Sequence, residues 1–98
     1  MSVLFTAKNE GVPSRKCSDV GVQILKDAVG KDAKLGMIKD CNFIAAQEAD
    51  RYDDSIQAYI KSNPTENPRY RDFMLNFAEF ARRSGGFYQE TWQMEKGE

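Results

Sequence analysis

Few side chains in this sequence could carry out covalent chemistry. There are two cysteines, Cys17 and Cys41, and no histidine. Without histidine there is no Ser-His-Asp or Cys-His machinery and no common general base near neutral pH. Cys17 follows Arg15-Lys16 just before a helix-like stretch. A basic neighbourhood at a helix N-terminus can lower a thiol pKa, which makes Cys17 the best nucleophile on offer. The plainer reading is a small residue at a helix start. Glu48, Asp50, Asp53 and Asp54 form an acidic run, with Asp50 and Asp54 on one helix face at i, i+4. Metal binding would call for EF-hand spacing with its glycine turn, or a Glu-x-x-His motif, and neither is present. The run reads as a solvated face. Gly30-Lys31 lacks the rest of a phosphate-binding loop, with Asp32 where Ser or Thr is required. No enzyme activity, metal or cofactor is expected.

The composition narrows the class further. The chain has 98 residues, enough for one small domain, 1–98. Hydrophobic residues make up 41%, and 14 basic residues balance 15 acidic ones. That combination argues against intrinsic disorder, which needs low hydrophobicity and a large net charge. It also argues against non-specific binding to DNA or to anionic membranes. Val3-Leu4-Phe5 is too short for the core of a signal peptide and has no basic segment before it. No window approaches the ~20 apolar residues of a membrane span. A cytoplasmic protein with reduced thiols and no membrane contact is the expectation.

The elements that would position these residues read as an all-α, three-helix bundle. The helices are expected at about 18–29, 32–62 and 67–84, with an extended N-terminal arm and a short C-terminal tail. Ser18 or Asp19 can cap the first helix and Gly30 can stop it. In the second, Leu35, Asn42, Ala49 and Ile56 recur every seven residues, and Ile38, Ala45, Tyr52 and Tyr59 form a second set three positions on. That is an a/d seam. A continuous helix there would be roughly 45 Å long. The seam packs against the other helices or, as the alternative, against a second copy, so a homodimer through 35–59 is one expectation. Asn63-Pro64 ends the helix. Asn67 as N-cap with Pro68 at the first helical position starts the third, and Gly85-Gly86 closes it. The tail FYQETWQMEKGE leans to helix, grouping Tyr88, Thr91, Trp92 and Glu95. As a strand it would put Tyr88, Glu90, Trp92 and Met94 on one face and could pair with residues 3–7.

Residues 63–86 hold four arginines and four Phe or Tyr rings. Tyr70, Phe73, Met74, Phe77, Phe80 and Ala81 share an arc of about 120°, which is a core face. Nucleic-acid stacking needs exposed rings. The opposite arc alternates in sign through Arg69, Asp72, Asn76, Glu79 and Arg83, the pattern of a mutually paired surface. Leu75 falls in that polar arc between Arg71 and Arg82, resembling a small apolar centre with an arginine rim. Phe43 lies opposite the seam among Lys39, Gln47, Asp50, Asp54 and Lys61, and needs either the arm or tail folded over it or an outside partner.

These features favour a small protein-protein interaction module: an adaptor, regulatory subunit or inhibitor that occupies a partner's surface. Phe43, Leu75, Arg71, Arg82, Lys39 and Gln47 are its expected contact residues, and its partner is another protein. The alternative is a nucleic-acid-associated regulator that uses an arginine-rich helix face of Arg69, Arg71, Arg82 and Arg83 with Lys61.

Overall fold

The computed structural model describes residues 2–39 and 41–92. In chain order the elements are β1 (Ser2–Ala7), β2 (Arg15–Ser18), α1 (Asp19–Val29), β3 (Phe43–Ala45), α2 (Ala46–Ser62), α3 (Pro68–Ser84) and β4 (Gly86–Trp92). The strands form an antiparallel sheet in the order β2-β1-β4-β3. The fold is therefore α+β, and the all-α helical bundle expected from periodicity is overturned.

Two helices lie where local signals put them. The Ser18 hydroxyl accepts from the Gly21 N–H at 3.1 Å and starts α1, which stops at Gly30 with φ of 109°. The Asn67 side chain accepts from the Arg69 N–H at 2.8 Å, Pro68 follows, and α3 ends at left-handed Gly85. These caps use short-range chemistry that survives any tertiary context.

The long helix expected over 32–62 is half that length. α2 begins at Ala46, and residues 31–39 run largely as turns. Gly36 sits at φ of 80°, outside helical space, and its N–H bonds to a side chain on β4. Phe43, Ile44 and Ala45 instead pair with Tyr88, Phe87 and Gly86. The seven-residue repeat was partly accidental. Leu35, Ala49, Tyr52 and Ile56 are buried, whereas Asn42 and Ala45 are exposed. The chain's own core takes up Ala49, Tyr52 and Ile56, so residues 35–59 do not form one continuous exposed helix face.

The arm and the tail are the two central strands. β1 pairs β4 from Ser2↔Trp92 to Ala7↔Phe87. The helical reading of the tail fails over 86–92, where the strand alternative holds; Met94 and Glu95 lie outside the described residues. Successive side chains alternate between sheet faces. Val3, Phe5, Cys17, Ile44, Phe87 and Gln89 are buried on one face. The helices cover that face, where Phe5, Phe77, Phe80 and Phe87 form a ring cluster with centroids 5.4–6.0 Å apart. Met74, Ala78 and Ala81 complete the buried side of α3, so its rings are core, apart from a half-buried Phe73 and an exposed Tyr70.

Gln89 is a polar side chain in this layer, with 1% of its surface exposed. Its Nε2 donates to the carbonyls of Lys34 at 2.9 Å and Cys41 at 2.6 Å, and its Oε1 accepts from the Gly36 N–H at 3.0 Å. Its backbone N–H donates to Asn42 at 2.9 Å. The 34–42 segment is thus tied to β4 by one residue. Replacing Gln89 with Leu leaves the Gly36 N–H and the Cys41 carbonyl without their partner, while the Lys34 carbonyl keeps the Met37 N–H at 3.0 Å; each backbone group so orphaned costs about 1–3 kcal/mol when buried. Gln89→Leu is expected to lower stability by roughly 2–4 kcal/mol in urea unfolding, with amide exchange rising first over 34–42. Unchanged stability would show that the segment holds without the clasp.

Candidate functional site

The sheet face away from the helices carries the least conventional surface. By register it presents Ser2, Leu4 and Thr6 from β1, Lys16 and Ser18 from β2, Phe43 and Ala45 from β3, and Tyr88 and Glu90 from β4. Leu4 and Phe43 are half-buried, and Tyr88 is 51% exposed. Phe43 and Tyr88 are direct cross-strand partners with ring centroids 4.7 Å apart and planes at 49°. Such aromatic pairs contribute about 0.5–1.5 kcal/mol beyond area burial.

Gly86 makes the pair possible. The Phe43 ring lies over its backbone, and a Cβ there would come within 2.8 Å of the ring's Cζ; its φ of 100° also disfavours other residues. The ring thus packs close to the Gly86 backbone, with Tyr88 beside it. Next to Tyr88, a shallow depression of about 470 Å³ is lined by Thr6, Ile38, Asn42, Tyr88, Gln89 and Glu90. Ile38 and Asn42 belong to the segment that Gln89 ties down, so the clasp also builds one wall of this surface.

The six residues expected to bind a partner do not form one patch. Phe43 stands on β3 rather than on a helix, and its ring partner comes from the C-terminal segment. Exposed Lys39 lies in the turns before β3, and Gln47 is exposed in the first turn of α2. Arg71, Leu75 and Arg82 do share a stripe of α3, at 0°, 40° and 20° around the helix if each residue turns about 100°. Leu75 is half-buried there. Arg82 approaches Asp53 of α2 at 4.0 Å, which places the stripe along the border between the two helices. Tyr88 was not singled out as a contact residue. Its signal was the alternation in FYQETW, obscured by the polar residue at the buried position 89.

The chemical candidates fare differently. Cys17 points into the core, and burial, with a smaller contribution from Asp19, pushes its pKa from 9.0 up to about 11. The thiolate is thus suppressed, despite Arg15-Lys16. Both cysteines are free thiols. The acidic run is split among different environments. Asp50 and Asp54 are exposed, Asp53 is buried near Arg82, and Glu48 binds Arg51 at 2.8 Å. Among the described residues no group of three or more Cys, Asp or Glu is placed to hold a metal ion, and no helix is long and apolar enough to cross a membrane.

No family model, curated protein or solved structure matches this chain.

A thiol whose pKa rises on folding stabilises the fold fully below its unfolded value. That contribution is lost as pH climbs from 9.0 through about 11. At about pH 7.5 iodoacetamide is expected to modify Cys17 many-fold more slowly in the folded chain than in urea. Mass spectrometry of the modified peptide reads this out, and equal rates would mean that the thiol is open to solvent.

Proposed function

We propose that the protein is a small protein-interaction module, an adaptor, regulatory subunit or inhibitor, that lays the open face of its sheet on a partner protein. The observation that supports this reading is the Phe43–Tyr88 ring pair on the face that the helices leave uncovered. Interface centres are enriched in tyrosine and phenylalanine, and a rigid tyrosine loses little conformational entropy when it docks. Thr6 and Ile38 extend the apolar contact beside Tyr88, and Lys16 and Glu90 supply a polar rim. The reading involves no catalytic step and no cofactor. A cytoplasmic setting is supported by the two free thiols.

The nucleic-acid alternative draws less support. Arg83 lies 3.7 Å from Glu79 and Arg82 lies 4.0 Å from Asp53, so a phosphate would compete with carboxylates at both positions.

The test is a pull-down with tagged protein from nuclease-treated lysate of the native source, at low and high salt. A stoichiometric protein partner is expected to persist at high salt, because apolar contacts respond weakly to ionic strength. Tyr88→Ser should release it while circular dichroism shows the fold retained, and Leu75→Ser should not. Retention by Tyr88→Ser would remove the sheet face from consideration. Loss at high salt or on nuclease treatment would favour the arginine stripe.

A further inference from the structure

The opposite edge of the sheet carries a different feature. β2 is the terminal strand with β1 as its one neighbour, and among the described residues no strand pairs with its outer side. Beside it, a cavity of about 170 Å³ opens between β2 and α3. Its apolar lining is Phe5, Cys17, Phe73 and Phe77, and exposed Arg15, Lys16 and Asn76 stand at its rim. The Cys17 thiol stays protonated, so the cavity interior carries no charge. No carboxylate pairs with Arg15 among the described residues.

Each part has an ordinary explanation when taken alone. Short, charged edge strands protect a sheet from edge-to-edge aggregation. That accounts for the basic residues but not for an apolar hole next to them. The hole is smaller than the roughly 300–1,000 Å³ of a typical small-molecule site, and has room for one aliphatic side chain. A free strand edge offers the backbone bonds that hold an extended peptide, and a pocket next to the edge then selects one of its side chains.

Spacing sets the rest of the ligand. Arg15 and Cys17 are two residues apart on one face of β2. A strand added alongside places its own i and i+2 side chains on that face, about 6.6 Å apart. With one of them in the cavity, the other comes level with Arg15 and can meet its guanidinium and the Asn76 amide, both hydrogen-bond donors.

We propose that the cleft between β2 and α3 binds an extended peptide by strand addition to β2, with an apolar side chain in the cavity and a carboxylate two positions away on Arg15 and Asn76. This surface is separate from the Phe43–Tyr88 face, and either one can fail without the other.

The probe is a blocked heptapeptide, acetyl-Thr-Glu-Thr-Leu-Thr-Glu-Thr-amide, whose two glutamates serve both strand directions. It is titrated into the isotope-labelled full chain and followed by amide NMR. The comparison peptides replace both Glu with Lys, or Leu with Ala. Shifts are expected over Arg15–Ser18 and at the Asn76 side chain, with the Glu-Leu peptide binding at least about fivefold more tightly than either comparison peptide. Arg15→Glu, at an exposed position that leaves the fold intact, should reverse the preference between Glu and Lys peptides. The proposal is overturned by an absence of shifts in β2 at millimolar peptide, by equal binding of all three peptides, by shifts confined to Thr6, Ile38 and Tyr88, or by concentration-dependent pairing of β2 between two copies of the chain.

Discussion

A single buried amide ties the backbone that leads into β3 to the middle of the sheet. Gln89 lies on a central strand, and three backbone groups between Lys34 and Cys41 satisfy its side chain. Sealing a primary amide away from water is unfavourable unless its donors and acceptor are matched. The matching therefore works both ways. The turn-rich segment fixes the amide, and the amide fixes where that segment leaves its backbone. From this follow the position of Gly36, the delivery of Phe43 to the sheet edge, and the start of α2 at Ala46 rather than fourteen residues earlier. An apolar residue at 89 could fill the space but could not specify the path.

The sheet divides the molecule into two surfaces with different physics. One face is closed by a phenylalanine cluster spanning β1, α3 and β4, with edge-to-face contacts that lock the layer spacing. Among the described residues no helix covers the other face, yet it is not wholly polar. It keeps the Phe43–Tyr88 pair in place through the missing side chain of Gly86. Antiparallel sheets commonly leave one face solvated, and polar residues are the usual occupants. An aromatic pair supported by a glycine departs from that rule in a way suited to recognition.

What could be read from the sequence follows the range of the interactions involved. Ser18, Asn67, Pro68, Gly30 and Gly85 act within a few residues, so α1 and α3 were legible with nearly correct ends. Most of the core face of α3 was legible for the same reason: Met74, Phe77, Phe80 and Ala81 are buried, while Tyr70 and Phe73, nearer the helix start, are not. The sheet was not. Leu4, half-buried between Val3 and Phe5, blurs the alternation of β1, and Gln89 puts a polar residue where β4 buries its side chain. The heptad pattern between 35 and 59 arose from residues that do enter the core, though from a turn segment and a helix rather than one rod. For Phe43 the need for a cover was readable, with the N-terminal arm, the C-terminal tail and an outside partner all left open as its source. The element bearing it was not, because β3 exists through pairing with residues more than 40 positions away.

The two central strands lie at opposite ends of the described chain, with Ala7 paired to Phe87 across 80 residues of sequence. During synthesis α1 and the α2–α3 hairpin can form from local signals, but the sheet cannot close until residues 86–92 have left the ribosome. Until then β1 has β2 alone for company, and the phenylalanines of α3 have no sheet to cover. Pairings of such long range are late and slow compared with helix contacts. Closure of the sheet is thus gated by β4. The same strand brings Gln89 and Tyr88, so the Phe43–Tyr88 pair assembles in the step that closes the sheet.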